Sequence, residues 1–265
     1  MGVSEILIVV QARMESRRLP GKVLLPMLGQ PMLLWMLSRL APLSYPLVVA
    51  APNEGNTAIA DVCAKHGYRC HMVDGDPKNV LHRFAHVVQL YPDAHHIVRI
   101  GGDTPLLDPE VIENLIGYHL HQLWRRDYTG LTHEWGDGND AEIFTRETLL
   151  VAEAEAKAPH ELEHVSPYIW QDPQRFRIAH YPCPLDLSGM RSSVDTHEDF
   201  LHAQMLLEKC LLKYGFGFGW REAWLVATQD ATVRQYMKNR SINTAYVTQI
   251  GNEKSWHDIR YGKSQ

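Results

Sequence analysis

Long apolar runs are missing from the start of this 265-residue chain. Five aliphatic residues, Ile6-Leu7-Ile8-Val9-Val10, follow Met1-Gly2-Val3-Ser4-Glu5, too few for a signal-peptide core or for the ~20 residues of a membrane span. Met1-Gly2 also lacks the Ser/Thr of a myristoylation site. Cysteine is scarce: Cys63, Cys70, Cys183 and Cys210 form no C-x-x-C pair, which fits reduced thiols in a cytoplasmic protein. Positive charge is not in excess. With 26 basic and 31 acidic residues the formal net charge is -5, which argues against a broad nucleic-acid surface and requires any polyanion site to be local. There is no internal repeat. The expectation is a soluble, cytoplasmic protein without a nucleic-acid or membrane partner.

Through the first half, short β-branched runs alternate with helical stretches. That alternation predicts an α/β fold, a doubly wound, mainly parallel, Rossmann-like sheet covered by helices on both faces. Strands are expected over residues 6–10, 47–51, 68–73 and 96–100, and helices over 32–40, 57–66, 80–90 and 111–124. Gly67 closes the second helix, and Asp108-Pro109-Glu110 starts the fourth with an N-cap, a proline and an acid. From about residue 128 the pattern loosens into an excursion reaching about residue 190, with a strand over 141–144, a helix over 145–157 and a strand over 176–181. One α/β domain over 1–205 is therefore expected. A helical C-terminal extension and tail follow over 206–265, interrupted by Gly215-Phe216-Gly217-Phe218-Gly219.

The first strand delivers a loop, Gln11-Ala12-Arg13-Met14-Glu15-Ser16-Arg17-Arg18-Leu19-Pro20-Gly21-Lys22, with four cations beside Gly and Pro. Backbone N–H groups and cations at a strand end can hold a triphosphate, whereas a solvated basic turn is the plain alternative. The loop is neither G-x-x-x-x-G-K-[ST] nor G-x-G-x-x-G, so it is not a P-loop or a dinucleotide fingerprint. Transfer of a nucleotidyl group also calls for carboxylates that hold a divalent ion. Two candidates stand out: Asp103, after paired Gly101-Gly102 at the end of the fourth strand, and Asp195, ahead of a predicted helix. Each has a plain reading too, Asp103 as a turn former and Asp195 as an N-cap.

The spacing Arg13-x-x-Ser16-x-Arg18-Leu19-Pro20-Gly21-Lys22 resembles the R-x-x-S-x-R-L-P-G-K loop of the sugar cytidylyltransferases, the family of CMP-Kdo and CMP-sialate synthetases. Gln11-Ala12-Arg13-Met14 is most similar to the spore coat polysaccharide biosynthesis subgroup. Arg99 to Pro109 resembles R-I-T-G-D-x-P-L-x-D-P, with Gly101 in place of threonine, and Val194 to Asp199 resembles V-D-T-x-E-D. The resemblance implies a nucleotide-diphospho-sugar transferase type of fold and a Mg2+-dependent reaction. In it CTP and an acidic or related sugar give a CMP-sugar and pyrophosphate for surface polysaccharide or glycoconjugate synthesis. It further implies that Asp103 and Asp195 bind Mg2+, that Arg13 and Lys22 join them in catalysis, and that Ala12, Arg13, Ser16, Arg18, Gly21, Lys22, Arg83 and Asp103 contact the nucleotide. Arg83 lies in Asn79-Val80-Leu81-His82-Arg83, similar to D-V-L-D-R with Asn79 and His82 replacing acids. Asp140 and Glu142, in a stretch resembling L-D-x-E-V-F, His164, in one resembling E-H-V-T-P-Y, and Arg191 are implied on the sugar side. The excursion would partly cover the sugar and supply a homodimer contact.

Two rival readings stand beside this one. His160-Glu161-Leu162-Glu163-His164 satisfies H-E-x-x-H, the zinc-peptidase pattern of two histidines one helical turn apart. Against it, Pro167 biases Ser166 away from helix, and no G-x-x-H follows. The other rival is a nucleotide-binding module without chemistry, which the retained carboxylates and loop cations argue against.

Overall fold

Every one of the five aliphatic residues that open strand β1 (Ile6–Gln11) is buried. Their side chains alternate between two cores: Ile6, Ile8 and Val10 face one, Leu7 and Val9 the other. A strand buried on both faces belongs in the interior of a helix-covered sheet, and β1 lies there, between β4 and β6. The computed structural model describes residues 5–121 and 125–237. A two-stranded hairpin, β2 (Pro26–Met27) and β3 (Gln30–Pro31), leads into α1 (Met32–Leu40). Then come β4 (Leu47–Pro52), α2 (Thr57–Lys65), β5 (Arg69–Val73), α3 (Val80–Gln89), β6 (His96–Gly101), α4 (Pro109–Leu120) and β7 (Tyr128–Leu131). The second half holds β8 (Ala141–Thr145), α5 (Arg146–Glu155), α6 (Pro159–His164), α7 (Pro167–Trp170) and β9 (Ile178–Tyr181), followed by α8 (His197–Tyr214), α9 (Trp220–Gln229) and α10 (Ala231–Met237).

The main sheet has the order β5-β4-β1-β6-β8-β7-β9. All neighbours are parallel except β8, which runs against both β6 and β7. The chain leaves β1 toward β4 and, after β5, returns to the other side of β1 to form β6. That reversal makes a topological switch point, where α/β sheets open a crevice at the strands' carboxyl ends. The register aligns Gln11 with Gly101, so the basic loop and the Gly101-Gly102-Asp103 turn leave the sheet side by side. Gly102 N–H donates to Gln11 O at 2.8 Å. A Cβ on Gly102 would lie 2.6 Å from that oxygen, so glycine is what allows the two loops to touch.

The predicted elements of the first half appear with ends shifted by a residue or two. Gly67, at φ 78, closes α2 in the left-handed conformation, and Asp108 caps α4 by accepting from Glu110 N–H at 2.9 Å. The fourth helix is the exception, stopping at Leu120 with His121 as its C-cap rather than running on toward 124; position 124 and the tail beyond 237 lie outside the described residues. In the excursion, β7, α6 and α7 are present without having been expected. Beyond it, α8 runs unbroken through positions 205 and 206 and buries Leu206, Leu207 and Cys210 in the same core as Ile8 and Val10. Arg39 of α1 clasps the glycine-rich segment, donating to Phe218 O at 2.9 Å and lying 3.9 Å over the Phe218 ring. Among the described residues no helix is long and apolar enough to cross a membrane.

Buried histidine links α4 to the sheet. His119 shares hydrogen bonds with Thr129 Oγ1 at 2.8 Å and His96 Nδ1 at 3.1 Å. Burial, with His96 and Arg126 nearby, holds the His119 imidazole down at about 3. The folded state keeps it neutral while the unfolded chain protonates it near 6.5, so stability is lost as pH falls below that value, by about 1.4 kcal/mol per pH unit. Urea denaturation of wild type and His119→Gln between about pH 6.5 and about pH 4.5 should show the steeper loss in the wild type.

Candidate active site

The basic loop is shaped by its own backbone before any side chain acts. Met14 O accepts from both Ser16 N–H at 2.9 Å and Gly21 N–H at 2.8 Å, and Ala12 N–H donates to Ala50 O at 3.1 Å. Asn56 Oδ1 holds Met14 N–H at 2.7 Å, while Asn56 Nδ2 donates to Glu15 Oε1 at 3.2 Å. Gly21 takes φ 70, a left-handed turn that suits glycine. It opens the 3-10 turn Lys22–Leu24 and sends the Lys22 side chain inward, where it is buried.

Inside, the Lys22 ammonium meets both predicted carboxylates. Its Nζ lies 2.8 Å from Asp103 Oδ2, 3.1 Å from Asp195 Oδ1 and 2.6 Å from Val194 O. Val194 N–H donates to Asp103 O at 2.9 Å, so the two acidic segments are also joined through backbone. The remaining Asp195 oxygen faces Arg18 at 2.9 Å and Arg191 at 3.3 Å. Burial alone would push the Asp103 carboxyl up, but the Lys22 ammonium outweighs it and holds the acid below its ordinary range. Burial likewise works to lower the Lys22 ammonium, and the two carboxylates more than offset it, so Lys22 stays charged. Asp195 is not the N-cap of α8. Thr196 is: its side chain accepts from Asp199 N–H at 3.2 Å, and Asp199 Oδ2 accepts from Thr196 N–H at 2.8 Å in return. The capping box leaves the Asp195 carboxylate directed at the cations.

Three oxygens, two of them carboxylate, thus surround one cationic position. That is a hard-oxygen set of the kind Mg2+ takes from a protein, with substrate phosphates and water completing the shell. Among the described residues no group of three or more His, Cys, Asp and Glu side chains is arranged to hold a metal, so the pair would act together with a ligand's own oxygens.

The other expected residues divide into three groups. Arg13 leaves the loop toward α6 and pairs with Glu163 at 3.2 Å. Arg83, on α3, is buried and donates to Pro77 O at 2.6 Å, while its Nε has no hydrogen-bond partner among the described residues. Burial, with Arg13 close by, brings the Arg83 guanidinium down to about 10. Among the residues expected on the sugar side, Glu142 belongs to a polar row across the sheet. Gln11 Oε1 accepts from Arg99 Nε at 3.2 Å, Arg99 pairs with Glu142 Oε2 at 2.9 Å, and Tyr128 O–H donates to Glu142 Oε1 at 3.0 Å. Asp140 is exposed and accepts from Gly138 N–H at 3.1 Å. His164 is half-buried at the end of α6.

Arg191 points to its own protein. Its guanidinium contacts Asp137, lies 3.3 Å from Asp195 and 3.1 Å from Asp199. Burial lowers the Arg191 guanidinium, and Asp137 with the other acids raises it further than burial lowers it. The residues that sequence reasoning missed are these holders: Asp137, Asp199, Arg99, Tyr128, Asn56 and Glu163. Only Asp199 carried a local signal, its place three residues after Thr196 in a capping box.

A family model described as Cytidylyltransferase matches residues 7–216. The spore coat polysaccharide biosynthesis protein SpsF of Bacillus subtilis (strain 168) is 30% identical over 217 residues, 78% of this chain and 88% of that protein. A 3-deoxy-manno-octulosonate cytidylyltransferase of Psychrobacter arcticus is 35% identical over 112 residues, 41% of each chain. Among solved structures, a cytidylyltransferase from Leptospira borgpetersenii superposes with a TM-score of 0.79 at 26% identity, over 90% of this chain and 99% of that one.

The Arg191 contacts make a stability prediction. Asp195 keeps Lys22 and Arg18, but removing Arg191 takes the paired cation from Asp137 and Asp199, and breaking a buried pair in this way costs about 3–5 kcal/mol. Arg191→Met should therefore lower the unfolding free energy by about that amount in urea denaturation, and an unchanged midpoint would mean the acids are solvated without it.

Proposed function

Because this chain belongs to the cytidylyltransferase family, we propose that it joins the cytidylyl group of CTP to a sugar, releasing pyrophosphate and forming a CMP-sugar for surface polysaccharide or glycoconjugate synthesis. The observation that carries this reading is the meeting of Lys22 with Asp103 and Asp195, which lie 81 and 173 positions away in sequence. A loop cation and two distant acids gathered at a switch point are what a triphosphate site requires.

In the reaction, a sugar oxygen attacks the α-phosphorus while the bond from that phosphorus to the β-phosphate's bridging oxygen breaks. The electron pair leaves with pyrophosphate, and the attacking hydroxyl's proton passes to water. Arg13, Arg18 and Lys22 bind the phosphates and neutralise the charge that gathers on the leaving group. Ser16 and Gly21 set the loop's curvature, so that backbone N–H groups from Ala12 onward face the nucleotide. Arg83, whose buried Nε is an orphaned donor, offers a hydrogen bond to the base or ribose. Asp140, Glu142 and His164 are assigned to the sugar side. Asp103 and Asp195 would hold a divalent cation, Mg2+ in our reading, which when bound supplies charge neutralisation on the phosphates. Arg191 acts through Asp195 as a positioning residue rather than as a sugar contact. The same reading takes the cytoplasm as the compartment, a homodimer as the assembly, and the region over 1–205 as the part that carries the chemistry.

The peptidase motif finds no support. Its helix, α6, ends at His164, and Val165 turns to φ 71. Glu163 pairs with Arg13 of the basic loop, joining this segment to the nucleotide side.

Pyrophosphate release from CTP, with and without Mg2+ across a panel of sugars, tests the reaction. Asp103→Asn and Asp195→Asn should each lower kcat by about 10²- to 10³-fold with the circular dichroism spectrum unchanged. Wild-type rates in either variant would remove that carboxylate from the site. Lys22→Ala should weaken CTP binding in calorimetry, and a zinc-selective chelator should leave turnover intact.

A further inference from the structure

An ammonium group has three N–H donors, and all three of Lys22 are accounted for. Asp103 Oδ2, Asp195 Oδ1 and Val194 O stand at 2.8, 3.1 and 2.6 Å. The Lys22 side chain is only 11% exposed and that of Asp195 13%, so water contributes little to screening the group. The ammonium occupies the place between two carboxylates that a divalent cation would need. Two cations cannot share it, because charges of one sign about 3 Å apart repel strongly in a partly dehydrated site. The carboxylates have other cations as well: Arg18 and Arg191 both face Asp195. Asp103, whose side chain is 33% exposed, has Lys22 as its close partner.

The Lys22 backbone is fixed by the 3-10 turn that follows Gly21, but its four-carbon stem can rotate. A triphosphate seated over the basic loop would offer the ammonium new anionic partners within reach of that stem.

We propose that Lys22 is the resident cation of the Asp103–Asp195 pair in the free protein, and that a nucleoside triphosphate, by drawing the ammonium off, opens the pair to a divalent cation. Metal and nucleotide then bind cooperatively through one side chain. This rests on the reading of Asp103 and Asp195 as the metal-holding pair given above. Linkage makes the effect reciprocal: the factor by which nucleotide tightens the metal is the factor by which metal tightens the nucleotide. The protein would avoid loading its acids with metal before the substrate arrives.

The test uses Mn2+ alone as the probe, with no nucleotide present, and reads free Mn2+ by electron paramagnetic resonance. Lys22→Gln and Lys22→Met should bind Mn2+ about 10- to 100-fold more tightly than the wild type. Adding Asp103→Asn to either should abolish that gain. Melting curves with and without Mn2+ report whether each variant is folded, and the metal should raise Tm more in the Lys22 variants than in the wild type. Equal Mn2+ affinities in wild type and variants, or a gain that persists with Asp103→Asn, would overturn the proposal. The wild type gives a check that needs no substitution. The ¹⁵N signal of the Lys22 ammonium should ignore Mg2+ alone and shift on addition of CTP, whereas a shift with Mg2+ alone would overturn the coupling. Pyrophosphate release from CTP judges the catalytic reading separately, since turnover with equal Mn2+ affinities sinks the coupling and leaves the enzyme.

Discussion

A charged amine buried beside two carboxylates constrains everything near it. Each of those charges would be costly to bury alone, and none is alone, because loop, turn and helix entrance arrive together. The backbone enforces the meeting. Gly102 N–H rests on Gln11 O, Val194 N–H on Asp103 O, and Ala12 N–H on Ala50 O, so the three segments are tied to one another through backbone. The capping box at Thr196 and Asp199 then turns Asp195 back toward Lys22. A shift of any one segment would leave an unpaired charge in a partly dry site, and that penalty gives the arrangement its precision.

Around this centre the charges are arranged in compensated sets rather than in a broad field. Lys22, Arg18 and Arg191 face Asp103 and Asp195; Asp137 and Asp199 hold Arg191 from behind; Arg99 and Glu142 pair within the polar row. On the proposed reading, a chain of net charge -5 would draw a polyanion with a few cations at a strand end rather than with overall charge. Burial and the neighbouring Asp140 push the Asp137 carboxyl up against the pull of Arg191 and Ser193, a sign of how densely the acids are gathered here.

Much of the fold was legible because its signals are local. The apolar run of β1, Gly67 after α2 and the Asp108-Pro109 start of α4 each act within a turn or a strand, and each lies where the pattern puts it. The excursion was read less well. β7 has only four residues, and α6 and α7 have six and four, too short for periodicity to speak. The reversed direction of β8 depends on its pairing with β6 and β7, which no local pattern encodes.

For the site, the chain alone identified the residue types: a loop of cations after a buried strand, two acids at element ends, and the glycines that let backbones approach. What it could not decide was which groups would face each other. Arg191 is implied by the sequence on the sugar side, yet folding encloses it among Asp137, Asp195 and Asp199. His160 and His164 match a rival metal-binding pattern, yet their helix stops at His164 and its Glu163 turns to Arg13. Spacing and caps are set by neighbours along the chain, whereas the partner of a long charged side chain is set by which strands lie side by side. Only the packed sheet brings positions 22, 103 and 195 within the reach of one ammonium group.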